Sequence, residues 1–531
     1  MRKQNVPQAK LDPEELEVYI KRGRHDRNPT APQRPKAFLL SASTSKFEMP
    51  TSPLQGYDQI VAVSQGHINM SLDAHFSDEK LLQWEVKNEL GKITAHMLPP
   101  TVALVVPDEP AKTHFMLNLD SGTFTYYSPN GYPNVVHTTN WTLAFIVNLS
   151  LDAIDKLPEK LAEKIKFKGS YSVSQLLLDF STPELISFNY DLSSTPGLLA
   201  ESSDTLLALI RRYLQDQVHA PSHNVLGYAI TVPEPAVANK IAPSFPPTSV
   251  RFQTVAHQPT SPANDCILFL EMTDKRAFPN SYIGSTPNWI EEDPLDPHHA
   301  GSMVLSKRNF WDRFFVPNST FLNVSAVHVL SIVLDETREP GSERDDLSLR
   351  APADYAWQST TAQGMKWEWE LIRPFVDDNN RSHSHHCYIQ VDVTLDITKN
   401  AIVTNCTGYV VQNDGNNDDW VIDANITYGF EFTLDNVANG ALGFGAKVNP
   451  EPDCQISNLG LSDIAARMTA AIKGRLQEHL DGMVKSSLLG VNDAFKHQAQ
   501  FVFPGSGTFE MKDPSFNEAG DIVVGLIYKQ E

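Results

Sequence analysis

Apolar and polar residues alternate along several stretches of the chain with the period of two that is typical of strands with one buried face. The longest stretch runs from Trp420 to Leu434, where every second residue is apolar. The stretches Ile389–Ile397 and Trp141–Leu149 repeat the pattern. The alternation from Phe115 to Tyr126 predicts a hairpin that turns at Asp120-Ser121-Gly122. Sheets with one buried and one solvated face are typical of antiparallel architecture.

Two other segments carry apolar residues at helical spacing, and each follows a serine that can cap a helix. Ser203 precedes the first segment and Ser462 precedes the second. The first apolar stripe consists of Leu206, Leu207, Ile210, Leu214 and Val218, and the second of Ile464, Met468, Ile472, Leu476 and Leu480.

These two helical segments align without a gap, with Ala208–Val218 over Ala470–Leu480. A second pair of segments behaves in the same way, because Ala62-Val-Ser64 and Val304-Leu-Ser306 are both followed by apolar residues four and eight positions after the serine. We infer a diverged internal duplication, in which each half contains a first helix, a curved sheet, a long helix and closing strands. The alternative is that all amphipathic helices share such a stripe.

The chain has 531 residues, which exceeds one compact core and predicts at least two domains. The proline-rich stretch Val232–Thr260 is typical of an extended connection between domains. We expect residues 1–45 to form a disordered polar and basic arm, residues 46–240 the first domain, and residues 241–531 the second.

The chain carries 43 Lys and Arg residues against 64 Asp and Glu residues, a net charge of −21. This charge repels nucleic acid and anionic membrane surfaces, so we expect no nucleic-acid partner and only local contacts with lipid. The four cysteines form no CxxC pair, which is typical of a reducing compartment. The sequence shows no secretory signal and no transmembrane segment of about 18 apolar residues, and we expect a cytoplasmic protein, or one released without a signal peptide.

Several short strings along the chain, from about residue 50 to about residue 528, resemble one known family when they are taken in order. They include Gly56-Tyr57-Asp58, Leu98-Pro-Pro-Thr-Val102, Tyr171-Ser-Val-Ser-Gln175, Phe314-Phe315-Val316-Pro317 and Phe503-Pro-Gly505. Through these strings the sequence is similar to the forty-seven-kilodalton (P-47) and OrfX proteins of clostridial toxin gene clusters. The arm before Phe38 and the charged stretch Asp335–Thr361 depart from the family.

The resemblance implies the tubular lipid-binding (TULIP) fold. This is an α+β fold, mostly antiparallel β, with two domains that each wrap a strongly curved antiparallel sheet around a long helix. Some relatives carry lipid or bind phosphoinositides, and the toxin-cluster proteins are thought to assist the toxins encoded beside them. The resemblance therefore implies a lipid or phosphoinositide ligand, or a toxin or other protein partner. It transfers no lipid-contact residue.

Candidate metal ligands occur in one short segment, after Asp377 and Asp378. They are His383, His385, His386 and Cys387. The spacing HxHHC is not that of a structural zinc site, and the alternative is a solvated loop before a strand that begins at Cys387. Because neither GxSxG nor HExxH occurs, we predict no catalytic residue, no cofactor and no enzyme activity.

The apolar stripes are the candidates for lining a lipid channel, although a stripe at this spacing is also what an ordinary core face requires. The candidate channel residues are Ile210, Leu214, Val218, Ile472, Leu476 and Leu480. The sequence favours a non-enzymatic lipid-binding protein, with toxin accessory as a further role. Two alternatives stay open, namely a protein scaffold or chaperone with filled channels, and a metal-dependent enzyme that uses the segment His383–Cys387.

Overall fold

The protein is described from a computed structural model in which the strands pair antiparallel. The described residues are 52–77, 79–128, 130–154, 171–180, 186–218, 224–231, 245–284, 288–290, 299–337, 356–361, 363–376, 382–414, 421–437, 441–457, 462–495, 502–504 and 508–529.

The strands of these residues are numbered in chain order. They are β1 (Gln59–Ser64), β2 (Gln83–Lys87), β3 (Gly91–Met97), β4 (Thr101–Ala103), β5 (Lys112–Tyr127), β6 (Pro133–His137), β7 (Trp141–Ile154), β8 (Ser172–Asp179), β9 (Ile186–Ser194), β10 (Val225–Thr231), β11 (Pro247–Val255), β12 (Cys266–Thr273), β13 (His299–Leu305), β14 (Gln358–Thr361), β15 (Gly364–Val376), β16 (Ser382–Asp396), β17 (Ala401–Asp414), β18 (Val421–Val437), β19 (Ala441–Val448), β20 (Asp453–Ser457), β21 (Val502–Pro504), β22 (Thr508–Phe516) and β23 (Ile522–Lys529).

The helices are numbered in the same way. They are α1 (Gln65–His75), α2 (Glu79–Leu82), α3 (Ser203–Val218), α4 (Val316–Asn318), α5 (Thr320–Glu336) and α6 (Ser462–Phe495), with a π-helix at Arg308–Phe315 and single 3-10 turns at Ala200–Ser202, Pro262–Asn264 and Ile397–Lys399.

The described strands form three sheets, named A, B and C. Sheet A has the order β11-β12-β1-β13-β23-β22. Sheet B has the order β2-β3-β5-β7-β8-β10-β21, with β4 and β6 paired to β5 and β9 paired to β7. Sheet C runs from β14 to β19 in chain order, and β20 pairs with β18. The predicted α+β, mostly antiparallel fold is confirmed.

Sheet A joins segments that are distant in the chain. Its strand β1 pairs with β12 on one side and β13 on the other, and all six of its residues are buried because both faces of the sheet are covered. Strand pairing therefore crosses the predicted boundary between residues 240 and 241. That boundary and the predicted arm, residues 1–45, lie outside the described residues.

Sheet B is a strongly curled half-barrel, and its longest strand corrects one prediction. The predicted hairpin at Asp120-Ser121-Gly122 is wrong, because β5 continues through these residues. The strand changes partner there, from β7 to β6. Gly122 has φ +146°, and a Cβ atom at this position would lie 2.2 Å from the Thr94 carbonyl oxygen. The glycine bends the strand without reversing it.

Sheet C contains the long strands that the alternation predicts. Strand β18 continues to Val437, and its residues Ala424, Ile426, Tyr428 and Phe430 are buried. Helices α5 and α6 pack against this sheet, α5 on β16 and β17 and α6 on β19 and β20. The predicted helices after Ser203 and Ser462 are confirmed as α3 and α6.

Helix α5 is a buried element that the sequence pattern does not reveal. Its apolar residues surround the helix, so no stripe stands out, and a helix of this kind is buried in a core. The helical stretch Arg308–Glu336 is long and apolar enough to cross a membrane by length and composition. In this fold 56% of its most apolar window is buried, as in the core helix of a folded domain.

The two serines of the duplicated motif occupy equivalent places. Ser64 is the N-cap of α1, and its Oγ accepts a hydrogen bond from the His67 backbone N–H at 3.2 Å. Ser306 accepts in the same way from the Asn309 N–H at 3.3 Å, at the start of the π-helix. Each serine therefore supplies an acceptor for an otherwise unpaired helix-terminal N–H group.

Candidate lipid-binding site

Helix α3 presents its predicted stripe to the interior of sheet B. Ile210 and Leu214 are fully buried, and α3 packs along β2 and β3. The side chain of Val218 lies outside the described residues. Tyr213 stacks on Trp84 with ring centroids 4.3 Å apart, and burial raises the pKa of its hydroxyl. The inner surface beside α3 is therefore apolar and keeps this phenol neutral.

Helix α6 is buried along one narrow line. Ile472, Leu476 and Leu480 are fully buried, whereas the neighbouring Arg475 and Glu478 are exposed. The buried residues face β19, β20 and α5. Helix α6 therefore packs on sheet C through a single stripe and lies beside α5, which packs on β16 and β17.

Hydrogen bonds between side chains connect α6 to α5. The Arg475 guanidinium donates to Glu336 at 2.6 Å, and the Ser325 hydroxyl lies 3.2 Å from His479 Nε2. Burial, followed by the neighbouring His328, lowers the pKa of His479 to about 4. The imidazole is therefore neutral at neutral pH, and the contact with Ser325 is a neutral hydrogen bond.

Asn323 is a buried polar residue that sequence reasoning missed. It is fully buried in α5, and neither its Oδ1 nor its Nδ2 has a hydrogen-bond partner among the described residues. An unsatisfied buried amide costs roughly 1–3 kcal/mol, so this side chain lowers the stability of the described fold. The signal available in the sequence is one asparagine within the apolar run Phe321–Leu334.

A second buried polar group is Asp58, the residue immediately before β1. The Asp58 carboxylate accepts from the backbone N–H and the hydroxyl of Thr273, at 3.0 and 2.9 Å, and pairs with Arg276 and Arg308. It thereby ties β1, β12 and the π-helix together. Asp58 belongs to the string Gly56-Tyr57-Asp58, which is one of those that carry the family resemblance. In the structure this aspartate holds neighbouring elements together.

Glu271 lies beside this group and is fully buried. The Gln59 side-chain amide donates to its Oε2 at 2.5 Å, and its Oε1 has no partner among the described residues. Burial raises the pKa of Glu271 to about 8, and the hydrogen bond from Gln59 opposes that shift. Glu271 is therefore predominantly protonated at neutral pH.

The predicted loop at His383–Cys387 is wrong, because all of these residues belong to strand β16. Neighbouring residues of a strand face opposite sides. His385 and Cys387 are buried on the inner face, whereas His386 contacts Glu370 at 2.7 Å on the outer face. The side chain of His383 lies outside the described residues.

This strand geometry bears on metal binding. Burial raises the pKa of the Cys387 thiol to about 12, which disfavours the thiolate that binds metals. Within the described ranges, no group of three or more His, Cys, Asp or Glu side chains is arranged to hold a metal ion.

Comparison with known proteins gives structural matches only. No family model matches the chain, and no curated protein matches it in sequence. P47 of Clostridium botulinum E1 has a TM-score of 0.52 and 12% sequence identity, covering 89% of this chain and 99% of that chain. P47 from Clostridium botulinum A2 has a TM-score of 0.48 and 11% identity, covering 89% and 98%.

A lipopolysaccharide binding protein also aligns, with 6% identity and coverage of 89% of this chain and 99% of that chain. Its TM-score of 0.32 is too low to support an argument. The P47 match at 0.52 agrees with the family resemblance in the sequence strings, and at 12% identity it bears on the fold alone. The chain therefore has the fold of P47 of Clostridium botulinum.

Proposed function

We propose that this protein is a non-enzymatic, TULIP-type lipid-binding protein that holds acyl chains along the inner faces of sheets B and C. One observation carries the proposal: Ile210 and Leu214 of α3 and Ile472, Leu476 and Leu480 of α6 lie in one buried apolar cluster with inner residues of both sheets. Burial of acyl chains there contributes roughly 0.8 kcal/mol per methylene and requires no covalent chemistry. Asn323 offers a donor and an acceptor to the polar part of such a ligand.

Mass spectrometry of organic extracts from natively purified protein tests this proposal. We expect co-purified lipid at a fixed ratio to protein. Leu214→Trp and Leu476→Trp fill the inner faces and should lower that ratio, whereas Asp216→Trp and Glu478→Trp add the same ring on the exposed faces of the same helices. Thermal unfolding of each variant shows whether a lower lipid ratio reflects weaker lipid binding or a loss of folded structure. Extracts that contain no lipid would contradict the proposal.

A scaffold with filled channels is the second candidate, and one packing feature favours it. Phe310 is fully buried, and its ring centroid lies 5.6 Å from that of Phe444, 5.7 Å from that of Phe516 and 6.2 Å from that of Phe315. These rings fill the space where sheet A meets sheet C. Recovery of a protein partner from the native source, without lipid, would favour this function.

A role as an accessory protein to a toxin is compatible with both the lipid-binding function and the scaffold function. Its support is the likeness to the P47 structures together with the family resemblance of the sequence strings. Co-purification from the native source, followed by identification of the bound protein, tests this role. A partner that is not a toxin component would contradict it.

A further inference from the structure

Four exposed apolar residues lie on neighbouring chain segments at one end of sheet B. They are Leu90, Tyr127, Tyr132 and Val135, with exposed fractions of 57%, 53%, 72% and 59%. We call this group the apolar tip. Monomeric proteins seldom expose such a cluster without a function for it.

Backbone contacts bring the members of the tip together. The Tyr127 N–H donates to the Leu90 carbonyl oxygen at 3.3 Å, and the Ser128 N–H donates to the Tyr132 carbonyl oxygen at 2.9 Å. Val135 pairs with Thr125 in the β5–β6 ladder and therefore shares the outer face of Tyr127.

The start of α3 lies close to the same end of sheet B. A Cβ atom on Gly91 would lie 3.1 Å from Thr205, so the first turn of α3 reaches this end. The apolar tip therefore lies where the interior beside α3 meets the end of sheet B.

The sequence around the tip has an unusual charge pattern. From Ser121 to His137, through the end of β5 and all of β6, there is no Asp, Glu, Lys or Arg, in a chain whose net charge is −21. This segment supplies Tyr127, Tyr132 and Val135. The charges nearest to Leu90 in the sequence are Lys87, Glu89 and Lys92. A segment without charged side chains costs less to insert into a medium of low dielectric constant.

We propose that the apolar tip docks on the surface of a zwitterionic lipid bilayer. Leu90 and Val135 would enter the boundary of the acyl chains, and the two tyrosines would lie at the level of the headgroups, where their rings are apolar and their hydroxyls remain hydrated. The net charge of −21 opposes approach to an anionic membrane, which selects an uncharged bilayer. This inference rests on the proposed function, because the tip would place the interior beside α3 next to the source of its lipid.

Flotation of the full chain with phosphatidylcholine vesicles tests the inference, and β3 offers a matched pair of variants. Leu90 precedes β3 at the tip, and Leu98, which is 51% exposed, follows β3 at the other end. We expect Leu90→Asp or Val135→Asp to lower the vesicle-bound fraction about tenfold. Leu98→Asp should leave it unchanged, and partial replacement of the lipid by phosphatidylserine should lower binding of the wild type.

Failure of wild-type flotation, or equal losses from Leu90→Asp and Leu98→Asp, would overturn the inference. Self-association that Leu90→Asp abolishes, without vesicle binding, would also overturn it, because the tip would then contact a second copy of the chain. Lipid extracted from a protein that does not float leaves the proposed function intact. If the protein floats but its extracts contain no lipid, the proposed lipid-binding function is contradicted and the membrane-docking inference stands.

Discussion

Val61 and Met303 lie directly opposite each other in the β1–β13 ladder. The same two residues correspond when Ala62-Val-Ser64 is aligned with Val304-Leu-Ser306. Two copies of one motif therefore pair about a local two-fold axis, and sheet A continues on each side with two further strands, β12 and β11 on one side and β23 and β22 on the other. This symmetry is what an internal duplication predicts.

The close approach of β1 and β13 predicts the effect of one substitution. A Cβ atom on Gly301 would lie 2.1 Å from the Ala62 carbonyl oxygen, so a side chain there must separate the two strands. We expect Gly301→Val to lower the free energy of unfolding by about 3 kcal/mol in chemical denaturation. Gly445→Ala is the control, because nothing lies within 4 Å of the new atom, and we expect a change within about 0.5 kcal/mol. Equal stability of Gly301→Val and wild type would refute the pairing.

Glu271 predicts a pH dependence of stability. Its pKa is about 8 in the folded protein and 4.5 in the reference state, so between these values the folded protein binds a proton that the unfolded chain does not. The stabilisation is complete below pH 4.5 and is lost as the pH rises through 8, with a slope of up to about 1.4 kcal/mol per pH unit.

Glu271→Gln should remove this contribution and make the variant more stable than wild type above pH 8, in denaturation curves measured across that range. The exposed Glu518→Gln serves as the control and should keep the wild-type slope. A wild-type slope in Glu271→Gln would show that another group is responsible.

Asn323 predicts an increase in stability on substitution. Because its amide has no partner among the described residues, Asn323→Leu should raise the free energy of unfolding of lipid-free protein by about 1–3 kcal/mol. Ser325→Ala on the same helix removes the contact with His479 and should lower it by about 1 kcal/mol. Destabilisation by Asn323→Leu would mean that the amide is satisfied in the folded protein.

The cysteines predict a reactivity pattern. All four are unpaired and buried, and burial raises the pKa of Cys406 to about 12 and that of Cys454 to about 11. We expect a disulfide reagent at pH 8 to label none of them rapidly in the native protein and all four after denaturation. Rapid labelling of the native protein would show that at least one thiol is accessible.

The spacing of apolar residues along the chain predicts the strands and helices in which that spacing is regular. The alternation of β18 and the stripes of α3 and α6 follow from which residues must face a core, and the caps at Ser64 and Ser306 follow from helix-terminal chemistry. The string Asp120-Ser121-Gly122 misleads, because it has the composition of a turn but lies in a bent strand whose partners are set by tertiary structure.

The candidate site was only partly predictable. Helix α5 has no stripe, and the pairing of β1 with β12 and β13 joins residues more than two hundred positions apart, which no local pattern specifies. Asn323 and Glu271 matter because of burial and missing partners, and neither property is visible before the chain is folded.

The most direct test of lipid binding is native mass spectrometry of the intact protein before and after extraction with organic solvent. The account predicts a mass above that of the 531-residue chain, lost on extraction, regained with added lipid, and reduced in Leu214→Trp and Leu476→Trp. A native mass equal to that of the bare chain, with no uptake of added lipid, would contradict it.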